Sequence, residues 1–168
     1  MRNDFIYGLV CKLKREYCVS NPFDLAEALG IRIEYEKLNS VKGLYVSMIK
    51  HCFIVLNEEI NEQEEALVIY HEIGHHILHR HLATAPFQER QLLDTTSKPE
   101  MEANIFAANM MIDDNDVISY ASENCTSEFM AKSLMVPHEL VLIKLKDMNN
   151  RGYNFNLAYI PRADFLGR

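Results

Sequence analysis

The chain lacks a surplus of basic charge, a long apolar run, a paired-cysteine pattern and any internal repeat, and each absence excludes a class of protein. Across 168 residues, 17 Lys+Arg stand against 24 Asp+Glu, a formal net charge of −7. Sequence-independent binding to nucleic acid depends on neutralising phosphates with Lys and Arg, so an acidic chain is a poor candidate for it. The longest uninterrupted apolar stretches, Cys52–Leu56 and Ala66–Tyr70, fall far short of the roughly 20 residues a membrane helix needs. The four cysteines, Cys11, Cys18, Cys52 and Cys125, form no C-x-x-C pair and no disulfide framework, which predicts reduced thiols. The opening MRNDFIYGLVCKLKREYC has too short an apolar run for a signal peptide, and no small-residue cleavage site follows. The expectation is a soluble cytoplasmic protein with no membrane partner. The length suits one domain burying about 70% of its unfolded surface. A hydrophobic content of 48% with 24% charged residues argues against disorder.

What the chain does have is histidine: seven in all, five of them between His71 and His81. The surrounding elements can be read in order. Phe5, Leu9, Leu13 and Tyr17 recur at helical spacing and predict a helix over 4–18 with one apolar stripe. Asn21-Pro22 reads as an N-cap followed by Pro at the first helical position, with Gly30 as terminator. Ile31, Ile33 and Tyr35 alternate with Arg32, Glu34 and Glu36, as in a half-buried strand. Gly43–Ile49 and His51–Leu56 predict a hairpin around Lys50. EEINEQEE at 58–65 reads as a solvated helix start, with Asn61 and Glu64 placed like a capping box. That helix is expected to run to about His81. Residues 84–97 read as a loop, Pro99–Met111 as a helix and the DDND that follows as a break. SEFMAKSLM and PHELVLIKLKDM are then helical, and Gly152 opens a short tail. The expected class is α+β, with a core over 1–125 and a helical extension over 126–168 packed on it.

HEIGH at 71–75 is an H-E-x-x-H pattern inside a predicted helix. Residues four apart share a helix face about 6 Å along the axis, so two imidazoles can converge on one Zn²⁺. Glu72 leaves the helix roughly 100° away, so it is free to take a proton from a water beside the metal and pass it to a leaving amine. This is the arrangement that metal-assisted amide hydrolysis needs. His79 lies on the same stripe as His71 and His75 but about 12 Å of rise from His71, so it reads as a supporting or packing residue. His76 and His81 lie off the stripe and read as ordinary, partly exposed histidines.

A catalytic zinc needs a third protein ligand. KPEMEANIFAANMM, at 98–111, supplies candidates. Glu100 and Asn104 share a face, which suits a metal-binding carboxylate and a partner that fixes a ligand histidine. Ser97 with Glu100 also fits a capping box, in which Glu100 merely starts the helix. Spacing alone leaves Glu100 and Glu102 as rivals.

HEIGHHILH followed by E-x-E-A-N-x-F-A-A resembles the ImmA/IrrE family of small zinc metallopeptidases. GLYVSMIKHCFIVLNEEI upstream is similar to that family's run-in, and the PFDLAEALGIRIEY segment and helical C-terminus extend the likeness over most of the chain. The resemblance implies His71, His75 and Glu100 as ligands, Glu72 as general base and Asn104 as the residue steadying a ligand. It implies a reduced zincin fold, an active-site helix on a small, mainly antiparallel sheet with the third ligand on a following helix. Where family members commonly carry L-L-M-P, this chain has Met110-Met111-Ile112-Asp113. Short members of the family cut a helix-turn-helix repressor and so release genes of a mobile element, and longer ones act in stress responses. The resemblance thus implies a repressor as protein substrate.

Two other classes compete. One is a non-catalytic antirepressor with a structural metal, which would have no need of Glu72. The other is a DNA-binding regulator, since EFMAKSLMVPHELVLIKLKDM spaces Ala131, Leu134, Val136 and Val141 like a bihelical unit. From Thr126 onward, however, basic residues exceed acidic ones by only six to four, and Lys144, Lys146, Arg151, Arg162 and Arg168 are spread out. Gly43–Ile49 is the candidate edge for an extended peptide. Tyr70, Tyr120, Tyr153 and His138 are open candidates for stabilising an oxyanion. Zinc suits the donor set, and manganese or iron could also occupy it.

Overall fold

The computed structural model describes residues 2–18, 21–39, 41–48, 51–80 and 97–156. Its elements run α1 (Arg2–Tyr17), α2 (Pro22–Ala28), β1 (Ile31–Glu36), β2 (Gly43–Met48), β3 (His51–Asn57), α3 (Glu62–His79), α4 (Lys98–Met111), α5 (Asp114–Ser122), α6 (Ser127–Leu134) and α7 (His138–Asn150). The class is α+β, as expected.

The face that α1 buries is one residue out of step with the expected stripe. Ile6, Val10 and Leu13 are buried, Leu9 and Tyr17 are partly so, and Phe5 stands 56% exposed. Ile6, Val10 and Leu13 follow the i, i+4, i+7 spacing of one helix face, which leaves Phe5 on its flank. The start of α2 is held by Asn21 Oδ1, which accepts from the Asp24 N–H at 2.9 Å. Its end turns at Gly30, whose φ of +71° is the left-handed conformation glycine adopts freely.

Among the described residues the sheet has the order β1-β3-β2, with β1 and β2 as its outer strands. It is mixed. The β2–β3 hairpin is antiparallel, with Gly43 opposite Leu56 and Met48 opposite His51. β1 pairs with β3 in parallel, from Ile31 opposite Cys52 to Glu36 opposite Asn57. Cys52, Ile54 and Leu56 of β3 and Tyr45 of β2 are buried, and α3 packs on both strands.

Asn61 caps α3, accepting from the Glu64 N–H at 2.9 Å and donating to Glu64 Oε2 at 2.9 Å. The acidic run is therefore a helix start, as read. Lys42 adds an ion pair to Glu64 at 3.0 Å. On α4, every residue from Glu102 to Met110 is buried. It packs against α3, α1 and α7. The three alanines Ala103, Ala107 and Ala108 are fully buried.

The expected break at DDND is brief. α4 ends against Ile112, and Asp113 already caps α5, accepting from the Asn115 N–H at 2.9 Å. Asp114 is buried and ties α5 to the C-terminal helix, with Lys144 Nζ at 2.6 Å and Arg151 donating at 2.7 and 3.0 Å. Lys144 also donates to Asn109 of α4 at 2.7 Å, and Asn109 to Asp147 at 3.0 Å. Among the described residues no helix is long and apolar enough to cross a membrane, and the four cysteines are free. The end of the expected β2 strand at Ile49, the hairpin turn at Lys50, His81, the loop over 84–96, Arg162 and Arg168 lie outside the described residues.

Candidate metal centre

The centre forms where α4 crosses α3. Gly74 makes the crossing possible: a Cβ there would meet the Ala103 Cα at 3.1 Å and the Phe106 ring at 3.3 Å. This close approach brings side chains of α4 within reach of the histidines on α3.

Three acceptors converge. His71 Nε2 lies 3.2 Å from Glu100 Oε2, His75 Nε2 lies 3.3 Å from Glu100 Oε1, and the two imidazole Nε2 atoms are 3.1 Å apart. All three ligand atoms lie within 4.8 Å of one another. A tetrahedral zinc with bonds of about 2.0–2.1 Å holds its ligand atoms about 3.3–3.4 Å apart, so the triangle is close to the size such an ion requires. His71 Nδ1 is 2.8 Å from Asn104 Oδ1, with both residues buried. An amide oxygen accepts, which puts the ring hydrogen on Nδ1 and turns the Nε2 lone pair toward Glu100 and His75. Two nitrogen donors and one carboxylate in this arrangement could hold a metal ion, and such a donor set suits zinc.

The electrostatics point the same way. Burial alone would lower the proton affinity of His71, but Glu100, Glu72 and the Asn104 oxygen outweigh it and leave its pKa raised. Burial would likewise raise the Glu100 carboxyl, and His71 and His75 hold it well below the usual carboxylate range. Glu72 is itself buried next to His71.

His71, His75, Glu100 and Asn104 come together, and Glu72 lies beside them. The capping-box alternative for Glu100 fails, because Ser97 makes no side-chain cap and the carboxylate faces the histidines. Glu102 is buried on a different side of α4, 3.3 Å from His79 Nε2. Tyr70 is buried, Tyr120 rests edge-on against Phe129, Tyr153 stacks on Phe155, and His138 lies 2.8 Å from Ser127. His76 is partly buried, as read, but it has a contact that sequence reasoning missed: its Nδ1 is 2.8 Å from the hydroxyl of buried Tyr45. The Gly-hydrophobic-Tyr pattern on β2 was the one available signal for that contact.

Known proteins resemble the chain over most of its length. Residues 26–150 match the M78 peptidase family, described as an IrrE N-terminal-like domain. The chain is 33% identical over 147 residues to an uncharacterized immunity region protein 2 of Bacillus phage phi105, covering 86% of this chain and 92% of that protein. It is 25% identical over 155 residues to the metallopeptidase ImmA of Bacillus subtilis strain 168, covering 89% of this chain and 82% of ImmA.

Proposed function

The chain belongs to the IrrE N-terminal-like family of M78 peptidases, and from that premise we propose that it is a zinc-dependent endopeptidase that cuts a helix-turn-helix repressor. Cleavage would release genes of a mobile element or a stress response. The observation that carries the reading is the convergence of His71 Nε2, His75 Nε2 and Glu100 on one point, with Glu72 beside them. The immunity-region name of the phage relative and the metallopeptidase name of ImmA support a role in immunity control by proteolysis.

His71, His75 and Glu100 would hold the metal. When bound, it polarises the scissile carbonyl and brings the ionisation of water near pH 7; manganese or iron could serve as well. Glu72 takes the proton from the attacking water and later delivers it to the amine nitrogen as the C–N bond breaks. Asn104 keeps the His71 hydrogen on Nδ1 and so preserves the ligand face of the ring. Among the described residues β2 is an outer strand of the sheet, and an extended peptide could pair along it.

Two of the basic side chains that a DNA-binding reading would draw on are engaged within the fold. Lys144 is 1% exposed and engaged with Asp114 and Asn109, and Arg151 is engaged with Asp114 and Asp147. The non-catalytic antirepressor is separated by Glu72. The test is incubation of the purified protein with the repressor encoded beside it, in zinc or manganese. Native protein should cut it once, and Glu72→Gln should bind metal without cutting. An intact repressor would contradict the proposal. A Glu72→Gln protein with full biological activity would favour the binding-only reading.

A further inference from the structure

We infer that Glu102 and His79 are a positioning pair for the metal centre, the carboxylate acting through the third histidine of the stripe. The inference rests on the metal-site reading above. Glu102 is two residues from Glu100, about 200° around α4, so the two carboxylates leave the helix on different sides and meet α3 at different turns. Glu100 meets His71 and His75; Glu102 meets His79, with its Oε2 3.3 Å from Nε2. The side chains of the pair are 7% and 5% exposed, and a carboxylate is seldom buried so deeply unless it is held. Lys98, 77% exposed, faces the other oxygen of Glu102 at 3.8 Å. The His79 ring in turn lies against that of His75, with centroids 5.8 Å apart.

Two lines of support therefore reach the centre from this pair. Through His79, Glu102 restrains the ring of the second ligand. Through the backbone of α4, it sets the rotation and register that deliver Glu100 between His71 and His75. Asn104 holds the first ligand from the opposite flank of the same helix. With Gly74 closing the gap between the helices, α4 is fixed at three points and its ligand carboxylate has little freedom to turn.

Positioning groups of this kind are worth about 10–100-fold in metal affinity. The experiment is a zinc titration against a chromophoric chelator, with the visible spectrum of the cobalt(II)-loaded protein as a second readout. It compares native protein with Glu102→Gln, His79→Gln, the double variant and Lys98→Ala, each checked for folding by circular dichroism and a thermal melt. Each single variant should bind zinc about 10–100-fold more weakly and shift the cobalt bands. The double variant should lose little more than either single one, and Lys98→Ala should match native protein. If Glu102→Gln does not fold, His79→Gln is read in its place. Folded variants that bind within twofold of native, with unchanged cobalt bands, would overturn the inference while leaving the metal site intact. Native protein that binds no zinc would overturn the metal-site reading itself.

Discussion

Two polar clusters sit at opposite ends of α4, and they differ in how their charge is balanced. At the C-terminal end, Lys144 and Arg151 face Asp114 and Asp147, with Asn109 and Asn3 filling the remaining bonds. Burial would raise the Asp114 carboxyl, yet Arg151 and Lys144 hold it below its ordinary value. Cation and anion are supplied together by the chain, so this cluster is complete in itself. At the N-terminal end, His71, His75 and Glu100 turn acceptors on one another, with no Lys or Arg among the three. Both clusters are hydrogen-bonded, but the ion-paired side chains of the first are no more than 10% exposed, against 17% and 22% for His75 and Glu100. Charge balance separates the cluster that braces the fold from the one proposed to bind a metal.

The sharpest break in the comparison is expected at Glu72. Glu72→Gln should cut turnover by about 10²–10⁴-fold, the range of a lost general base, with metal content unchanged by elemental analysis. Lys144→Met leaves two carboxylates under-compensated and should cost about 3–5 kcal/mol in a denaturant melt, without changing zinc affinity. Replacing Lys144 and Asp114 together by apolar residues should restore much of that loss, because a balanced ion pair is expendable where one of its members alone is not. Gly74→Ala should cost about 1–3 kcal/mol of stability by pushing α3 and α4 apart. Unlike Lys144→Met, it should also weaken zinc binding, measured on the same protein by chelator competition.

The smallest effect is in pH. A carboxyl whose folded-state pKa is depressed contributes stability that is fully present above its unfolded value and lost as pH falls through the folded one. For Asp114 the unfolded value is about 3.9. The gap in melting temperature between native protein and Asp114→Asn should therefore hold steady from about pH 5 to 8 and narrow below about pH 4. A gap that widens on acidification would contradict the assignment.

How far each cluster could be read from sequence follows from how local it is. His71, Glu72 and His75 lie within two turns of one helix, so helical spacing alone places them. Glu100 was separable from Glu102 only through the family resemblance, because the choice depends on how α4 crosses α3 at Gly74, and spacing carries no crossing angle. The Lys144–Asp114 and Asn109–Asp147 contacts bridge distant segments, and nothing in DDND marks its second Asp as buried. The hairpin was legible from two adjacent apolar runs. The parallel pairing of β1 with β3 was not, because alternation along a strand does not specify its neighbour. The misplacement of Phe5 on the α1 stripe has a similar cause: two registers of apolar residues were available, and packing chose Ile6, Val10 and Leu13.

The central claim is that the cluster at the N-terminal end of α4 binds a metal and the one at the C-terminal end does not. Zinc titration of native protein, Glu100→Gln and Lys144→Met tests it directly. The account predicts one zinc per chain for native protein and Lys144→Met at the same affinity, and binding at least about tenfold weaker for Glu100→Gln. Native protein without zinc, or Glu100→Gln that holds it as tightly as native, would contradict the account.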